Sequence, residues 1–256
     1  MLLAIDVGNS TTVIGAFDRD ELVHRWGVST RTRRTTDETE LLLAGLLGRI
    51  GRSLERDVHG VVIGSVVPAV TETMRTVSAA VAAVPPVVIE PGVRTGIALR
   101  HDHPRELGAD RIANAVAAHA LYGGPAVVVD FGTAISVDAV DAGGVFVGGA
   151  IAPGVSTAAD ALVERAARLP TVELSMPPSP IGRSTVTALQ SGLVYGFAGL
   201  VDGLVSRLSL ELGSGVTTVA TGGSAPAVLE ACGTIDHHDP SLTLKGLRII
   251  WTRNAG

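Results

Sequence analysis

Short apolar runs recur along this chain, and two of them end on the same punctuation. Leu2 to Ile5 runs into Asp6-Val7-Gly8-Asn9-Ser10-Thr11, and Ala126 to Val129 runs into Asp130-Phe131-Gly132-Thr133-Ala134. Continuous apolar runs bounded by turn residues read as buried strands. A second apolar stretch follows each turn, Val13 to Phe17 and Ile135 to Val140. The pattern predicts strand, tight turn and strand twice, with a carboxylate entering each turn. The copies begin at residues 6 and 130 of 256, which predicts two halves of one duplicated fold.

The rest of the pattern supports an α/β reading in each half. Glu21 to Val28 alternates as a third strand, Asp37 to Leu47 is a helix, and Val58 to Val67 is a strand. Pro68 to Val84 is a helix with proline in its first turn, and Val87 to Ile89 is a further strand. The second half repeats the plan: strands Val127 to Val129, Ile135 to Val140 and Val145 to Ala150, then a helix from Val155 to Arg168. Pro170 to Pro180 is a loop, and Thr185 to Leu212 is one long apolar helix. Val216 to Thr221 is a strand ending at Gly222-Gly223, Ala225 to Ala231 a helix, and Ile235 the start of a short strand. Leu121 to Pro125 is only a turn, so the predicted domains are 1–121 and 122–256.

Composition narrows the chemistry. Aromatic residues make up only 3% of the chain against 46% hydrophobic, so the core must be built from Val, Leu, Ile and Ala. A net charge of −5 gives no support for nucleic-acid binding. Cys232 is the only cysteine, which excludes an internal disulfide. Met1 to Ile5 is too short for a signal peptide. The uncharged stretches 76–89 and 142–159 are broken by prolines and glycines, so no membrane span is expected there and the expected location is cytoplasmic.

A glycine in such a turn lacks a Cβ, so backbone N–H groups can approach an oxyanion closely. The side chains of Asn9, Ser10, Thr11 and Thr133 add donors. Asp6 and Asp130 repel phosphate, and their natural work is to hold a cation or its water shell against it. Two such turns suit a polyphosphate and point to a nucleotide-dependent enzyme. One copy alone reads by default as an ordinary hairpin turn, and it is the duplication that favours phosphate.

Paired acidic turns in this element order resemble the acetate kinase, Hsp70 and actin superfamily. That resemblance implies two duplicated ribonuclease H-like (actin-like ATPase) domains with a nucleotide cleft between them. Further segments sharpen it: Gly108-Ala109-Asp110-Arg111 before a helix from Ile112 to Leu121, then Gly148 to Gly154, Thr221-Gly222-Gly223, and Leu242 to Leu247. Together with the two turns they resemble type III pantothenate kinase over nearly the whole chain. Ser10 and Ile135 stand where that family commonly has Thr, and no aromatic residue occurs between Gly92 and Leu121.

The resemblance implies ATP-dependent phosphorylation of pantothenate, the first step of coenzyme A synthesis, by a homodimer. It assigns Asp110 as the catalytic base, and Gly108, Ala109, Asp110, Arg111 and Thr185 to pantothenate, Thr185 from the second half or from a partner subunit. It assigns Asp6, Val7, Gly8, Asn9, Ser10, Thr11, Thr12, Val13, Thr133, Gly222 and Gly223 to ATP. Asp130 is implied as ligand of a monovalent cation, K+ or NH4+, and Asp6 as holder of Mg2+ through water. Read from the residues alone, Asp110 is equally an N-cap. His101, His103 and the pair His237-His238 read as solvated loop residues, and Arg31, Arg33 and Arg34 as a solvated basic loop. The alternatives are a non-catalytic regulator like the Bvg accessory factors, or a kinase of another small alcohol or carboxylate.

Overall fold

The computed structural model of the chain describes residues 1–82 and 84–255. Its first half runs β1 (Leu2–Val7), β2 (Thr11–Asp18), β3 (Glu21–Ser29), α1 (Thr36–Gly48), α2 (Leu54–Asp57), β4 (Gly60–Ser65), α3 (Pro68–Val81), β5 (Val87–Val88) and α4 (Ala109–Tyr122). The second runs β6 (Ala126–Phe131), β7 (Ala134–Val140), β8 (Phe146–Pro153), α5 (Val155–Arg165), α6 (Thr185–Leu212), β9 (Thr217–Thr221), α7 (Pro226–Leu229), β10 (His237–His238) and α8 (Leu242–Asn254). The helix expected to reach Val84 ends at Val81; Ala83, within that expected span, lies outside the described residues. Helix α4 begins at Ala109, three residues before the expected start at Ile112.

The two sheets have the same topology. One is ordered β3-β2-β1-β4-β5, the other β8-β7-β6-β9-β10. In each, the first three strands pair antiparallel and the first, fourth and fifth pair parallel. The predicted duplication is therefore present strand for strand. The turns differ by one residue: Asp6 sits opposite Val13, whereas Asp130 sits opposite Ser136.

The chain divides into two compact units, one of Met1–Ala98, Asp102–Ala117 and Ser241–Gly256, the other of Leu99–His101 and Ala118–Pro240. This differs from a single break after residue 121. The cause is α8, which packs against β1, β2 and β4. Glycines on those strands make room for it. A Cβ on Gly15 would lie 2.8 Å from Leu244, one on Gly60 2.6 Å from the Trp251 ring, and one on Gly64 2.9 Å from Leu247. Thr243 donates a hydrogen bond to the buried Asn114 of α4 at 2.8 Å. Leu2, Ala4 and Asp6 share this face, since side chains alternate along a strand. Leu3, Ile5 and Val7 point the other way, into a core with Leu43 and Leu47 of α1 and Met74 and Val77 of α3.

In the second unit, Val127, Val129 and Phe131 pack against Leu193, Ala198, Val201 and Val205 of α6. That stripe faces the sheet, but only 28% of the most apolar window of the helix is buried, and by length and composition alone the helix could also cross a membrane. Ser184 caps it, with Thr187 completing the reciprocal pair.

Candidate active site

Each unit carries part of the predicted constellation. In the first, Gly8 N–H donates to Thr11 O at 3.0 Å and closes the turn between β1 and β2. Asn9, Ser10 and Thr11 are exposed at its tip, while Val7 is buried and Val13 half-buried. Thr12 lies 2% exposed, its hydroxyl 2.9 Å from that of Thr30. Thr30 Oγ1 in turn donates to Gly8 O at 2.7 Å, and its N–H donates to Ser10 O at 3.0 Å. Since the one Thr30 hydroxyl proton is on Gly8 O, Thr12 is the donor in the hydroxyl pair.

The Gly108–Arg111 segment is brought to the same end of the sheet. Gly64 is the β4 partner of Asp6, and a Cβ on Gly64 would lie 3.6 Å from that of Ala109. A Cβ on Gly108 would lie 3.5 Å from Val66, whose N–H donates to Val7 O at 3.1 Å. The N-terminus of α4 is thus seated at the carboxyl ends of the parallel strands β1 and β4, where ligands of open α/β sheets bind. Asp110 is the second residue of the helix, and Ile112 N–H already donates to Gly108 O at 3.2 Å. The N-cap place therefore falls to Gly108. Oδ1 of Asp110 accepts from Arg111 N–H at 2.8 Å, folded back so that a Cβ on Gly108 would strike it. Asp110 and Arg111 are half-buried.

In the second unit, Gly132 N–H donates to Ala134 O at 3.0 Å, closing the turn between β6 and β7 with Thr133 exposed. Thr133 O accepts from Gly154 N–H at 3.0 Å and from Thr157 Oγ1 at 2.7 Å. Asp130 stands between Ser136 of β7 and Thr221 of β9. Side-by-side residues share a face, so two hydroxyls flank this carboxylate where Asp6 has Val13 and Gly64. Gly222 follows β9 and packs on Asp130 and Phe131, while Gly223 is exposed. Ile135, in place of the common Thr, is fully buried in the α6 core. Thr185 is the exposed first residue of α6.

The remaining candidates have structural work. His237 and His238 form the exposed edge strand β10. Asp236 accepts from Thr218 N–H at 2.8 Å, and Asp239 accepts from the Tyr122 hydroxyl at 3.2 Å. Burial and the Asp239 carboxylate raise the Tyr122 phenol above its usual value. His101 lies 6.4 Å from the Phe146 ring, ring centre to ring centre, in the second unit. Among the described residues no group of three or more His, Cys, Asp and Glu is placed to hold a metal. A cation at Asp6 or Asp130 would draw its other oxygens from hydroxyls, water and phosphate, the usual shell of Mg2+ beside a nucleotide.

Sequence reasoning singled out neither Thr30 nor Thr157. The signal was available in the duplication, because Thr30 and Gly154 are the first residues past the third strand of each half.

Residues 2–207 match the model of a family described as type III pantothenate kinase. A type III pantothenate kinase of Parafrankia sp. (strain EAN1pec) is 54% identical over 256 residues, covering 100% of this chain and 99% of the relative. Among solved structures, a Campylobacter jejuni protein assigned to the Baf family of transcriptional activators is similar at a TM-score of 0.63 and 19% identity, covering 99% of this chain and 98% of that one. The activator of 2-hydroxyisocaproyl-CoA dehydratase from Clostridium difficile, with bound ADPNP, is similar at a TM-score of 0.58 and 14% identity, covering 99% and 96%.

Proposed function

The chain belongs to the type III pantothenate kinase family, and on that premise we propose roles for the residues of its two turns and of the α4 N-terminus. The enzyme transfers the γ-phosphoryl group of ATP to the hydroxyl of pantothenate, the first step of coenzyme A synthesis. Phosphoryl transfer has a loose transition state, so the protein's task is alignment and neutralisation of charge. Asp110 accepts the proton of the pantothenate hydroxyl as its oxygen bonds to phosphorus. Arg111 binds the carboxylate or amide oxygens of pantothenate, with Gly108 and Ala109 beside it and Thr185 supplied by the second unit or by a partner subunit.

The observation that carries this reading is the seating of Gly108–Arg111 beside the Asp6 turn, at the carboxyl ends of β1 and β4. It gives one unit both a phosphate turn and a carboxylate for the acceptor. The N–H groups and side chains of residues 7–13 and Thr133 serve the ATP phosphates, and Gly222 and Gly223 allow close approach of the nucleotide. Asp6 holds Mg2+ through water. Asp130 holds K+ or NH4+, a role supported by the flanking Ser136 and Thr221. The working form is a cytoplasmic homodimer.

An ATP-coupled assay offering pantothenate, acetate and simple sugars tests the function. Turnover confined to pantothenate is expected. Turnover with another acceptor would assign a different kinase, and none with any acceptor would assign a non-catalytic protein.

A further inference from the structure

We infer that Thr30 and Thr157 are positioning residues for ATP, each bracing one of the two acidic turns from behind. The inference rests on the reading that these turns hold the phosphates.

The two braces are built alike although their residues come from different elements. The segment just past the third strand supplies a backbone N–H to the tip carbonyl: Thr30 N–H to Ser10 O, and Gly154 N–H to Thr133 O, both at 3.0 Å. A threonine hydroxyl supplies a second bond at the same length: Thr30 Oγ1 to Gly8 O and Thr157 Oγ1 to Thr133 O, both at 2.7 Å. Thr157 reaches its carbonyl from the first turn of α5. Gly154 must lack a side chain there, because a Cβ would strike the carbonyls of Gly132 and Thr133.

A trans peptide is planar, with its N–H opposite its C=O. Fixing the carbonyls of Gly8, Ser10 and Thr133 toward the braces therefore fixes the N–H groups of Asn9, Thr11 and Ala134 toward the other side. An unbraced glycine turn has easy access to the flipped peptide, which would present carbonyl oxygen to phosphate and repel it. The hydroxyls hold the donor orientation before ATP arrives, and such preorganisation counts toward binding.

Steady-state kinetics and calorimetric titration with a non-hydrolysable ATP analogue test this on the full-length enzyme. Thr30→Val and Thr157→Val are each expected to weaken ATP binding roughly three- to tenfold, the range for one lost hydrogen bond, with KM for pantothenate unchanged. Thr30→Ser and Thr157→Ser, which keep the hydroxyl, are expected to restore it. Gly8→Ala, whose Cβ would lie 3.0 Å from Thr11 O, is the companion variant. If Gly8→Ala weakens ATP binding and both valine variants do not, the braces are structural and the proposal falls while the phosphate reading stands. If none of the three alters ATP binding, the phosphate reading itself is wrong. Equal loss for ATP and pantothenate, or no rescue by serine, also overturns the proposal. Thr157 is exposed, so its variants carry the test should Thr30→Val fail to fold.

Discussion

Gly222 and Asp130 occupy a space that admits no side chain on residue 222: a Cβ there would lie 2.6 Å from Oδ1 of Asp130. Gly222 also has φ of 98°, a conformation that L-residues adopt only under strain. Substitution at this one position therefore reaches the carboxylate assigned to the monovalent cation. Gly222→Ala is expected to lose roughly 1–2 kcal/mol of stability and to raise the potassium concentration required for half-maximal turnover. Urea denaturation and a potassium titration measure the two effects. An unchanged potassium requirement would separate Gly222 from the cation.

Potassium or ammonium is expected to raise turnover well above sodium, and Asp130→Asn is expected to abolish that discrimination. Initial rates in matched chloride salts decide it. Equal rates in all three salts for the unaltered enzyme would refute the role of Asp130.

Asp110→Asn retains an oxygen able to accept from Arg111 N–H, so the first turn of α4 should fold as before. It removes the proton acceptor, and kcat is expected to fall by at least about a hundredfold. KM for ATP and the denaturation midpoint should hold. A variant working at near wild-type rate would leave Asp110 with a helix-terminal role alone.

How far the sequence carried can be judged on these same residues. Asp6 and Asp130 were legible because each enters a glycine turn between two apolar runs, whereas Asp110 stood out only through the resemblance of Gly108 to Arg111 to the family motif. Thr30 and Thr157 were not, since a hydroxyl in a polar segment looks the same whether it faces water or a carbonyl. The place of α8 was hidden for a related reason. Its apolar residues Leu242, Leu244, Leu247 and Ile250 are buried, but Leu244 and Leu247 sit over Gly15 of β2 and Gly64 of β4, which carry no hydrophobic signal. Helix α4 gave its existence readily and its start poorly, because Gly108 and Asp110 are both good residues for a helix entrance.

If two chains share each site, mixing Asp110→Asn enzyme with Thr185→Val enzyme should regenerate activity that neither has alone. Each mixed dimer then contains one site with Asp110 and Thr185 both intact. Sedimentation at micromolar concentration should give a dimer. A fully active monomer would overturn the shared site.

Burial, with a smaller effect from Asp202, pushes the Cys232 thiol up to about 11 from its ordinary 9.0. The thiolate is the reactive form, so alkylation of native enzyme at pH 8 should run roughly a hundredfold slower than in urea. The linked stability is intact below pH 9 and declines as pH rises toward about 11. Cys232→Ser should remove that part of the decline in denaturation midpoint.

Because α8 belongs to the first unit, synthesis order works against closure of that unit. While the polypeptide emerges from the ribosome, residues 118–240 can form their sheet and bury α6 without waiting for later sequence. The first sheet, though made earliest, keeps the face around Gly15, Gly60 and Gly64 uncovered until Leu242 to Asn254 have emerged. A nascent chain with residues 1–240 emerged therefore carries a complete second unit and an apolar surface on the first. That surface is what a chaperone would hold or a neighbouring nascent chain would stick to, and the final helix is the act that withdraws it.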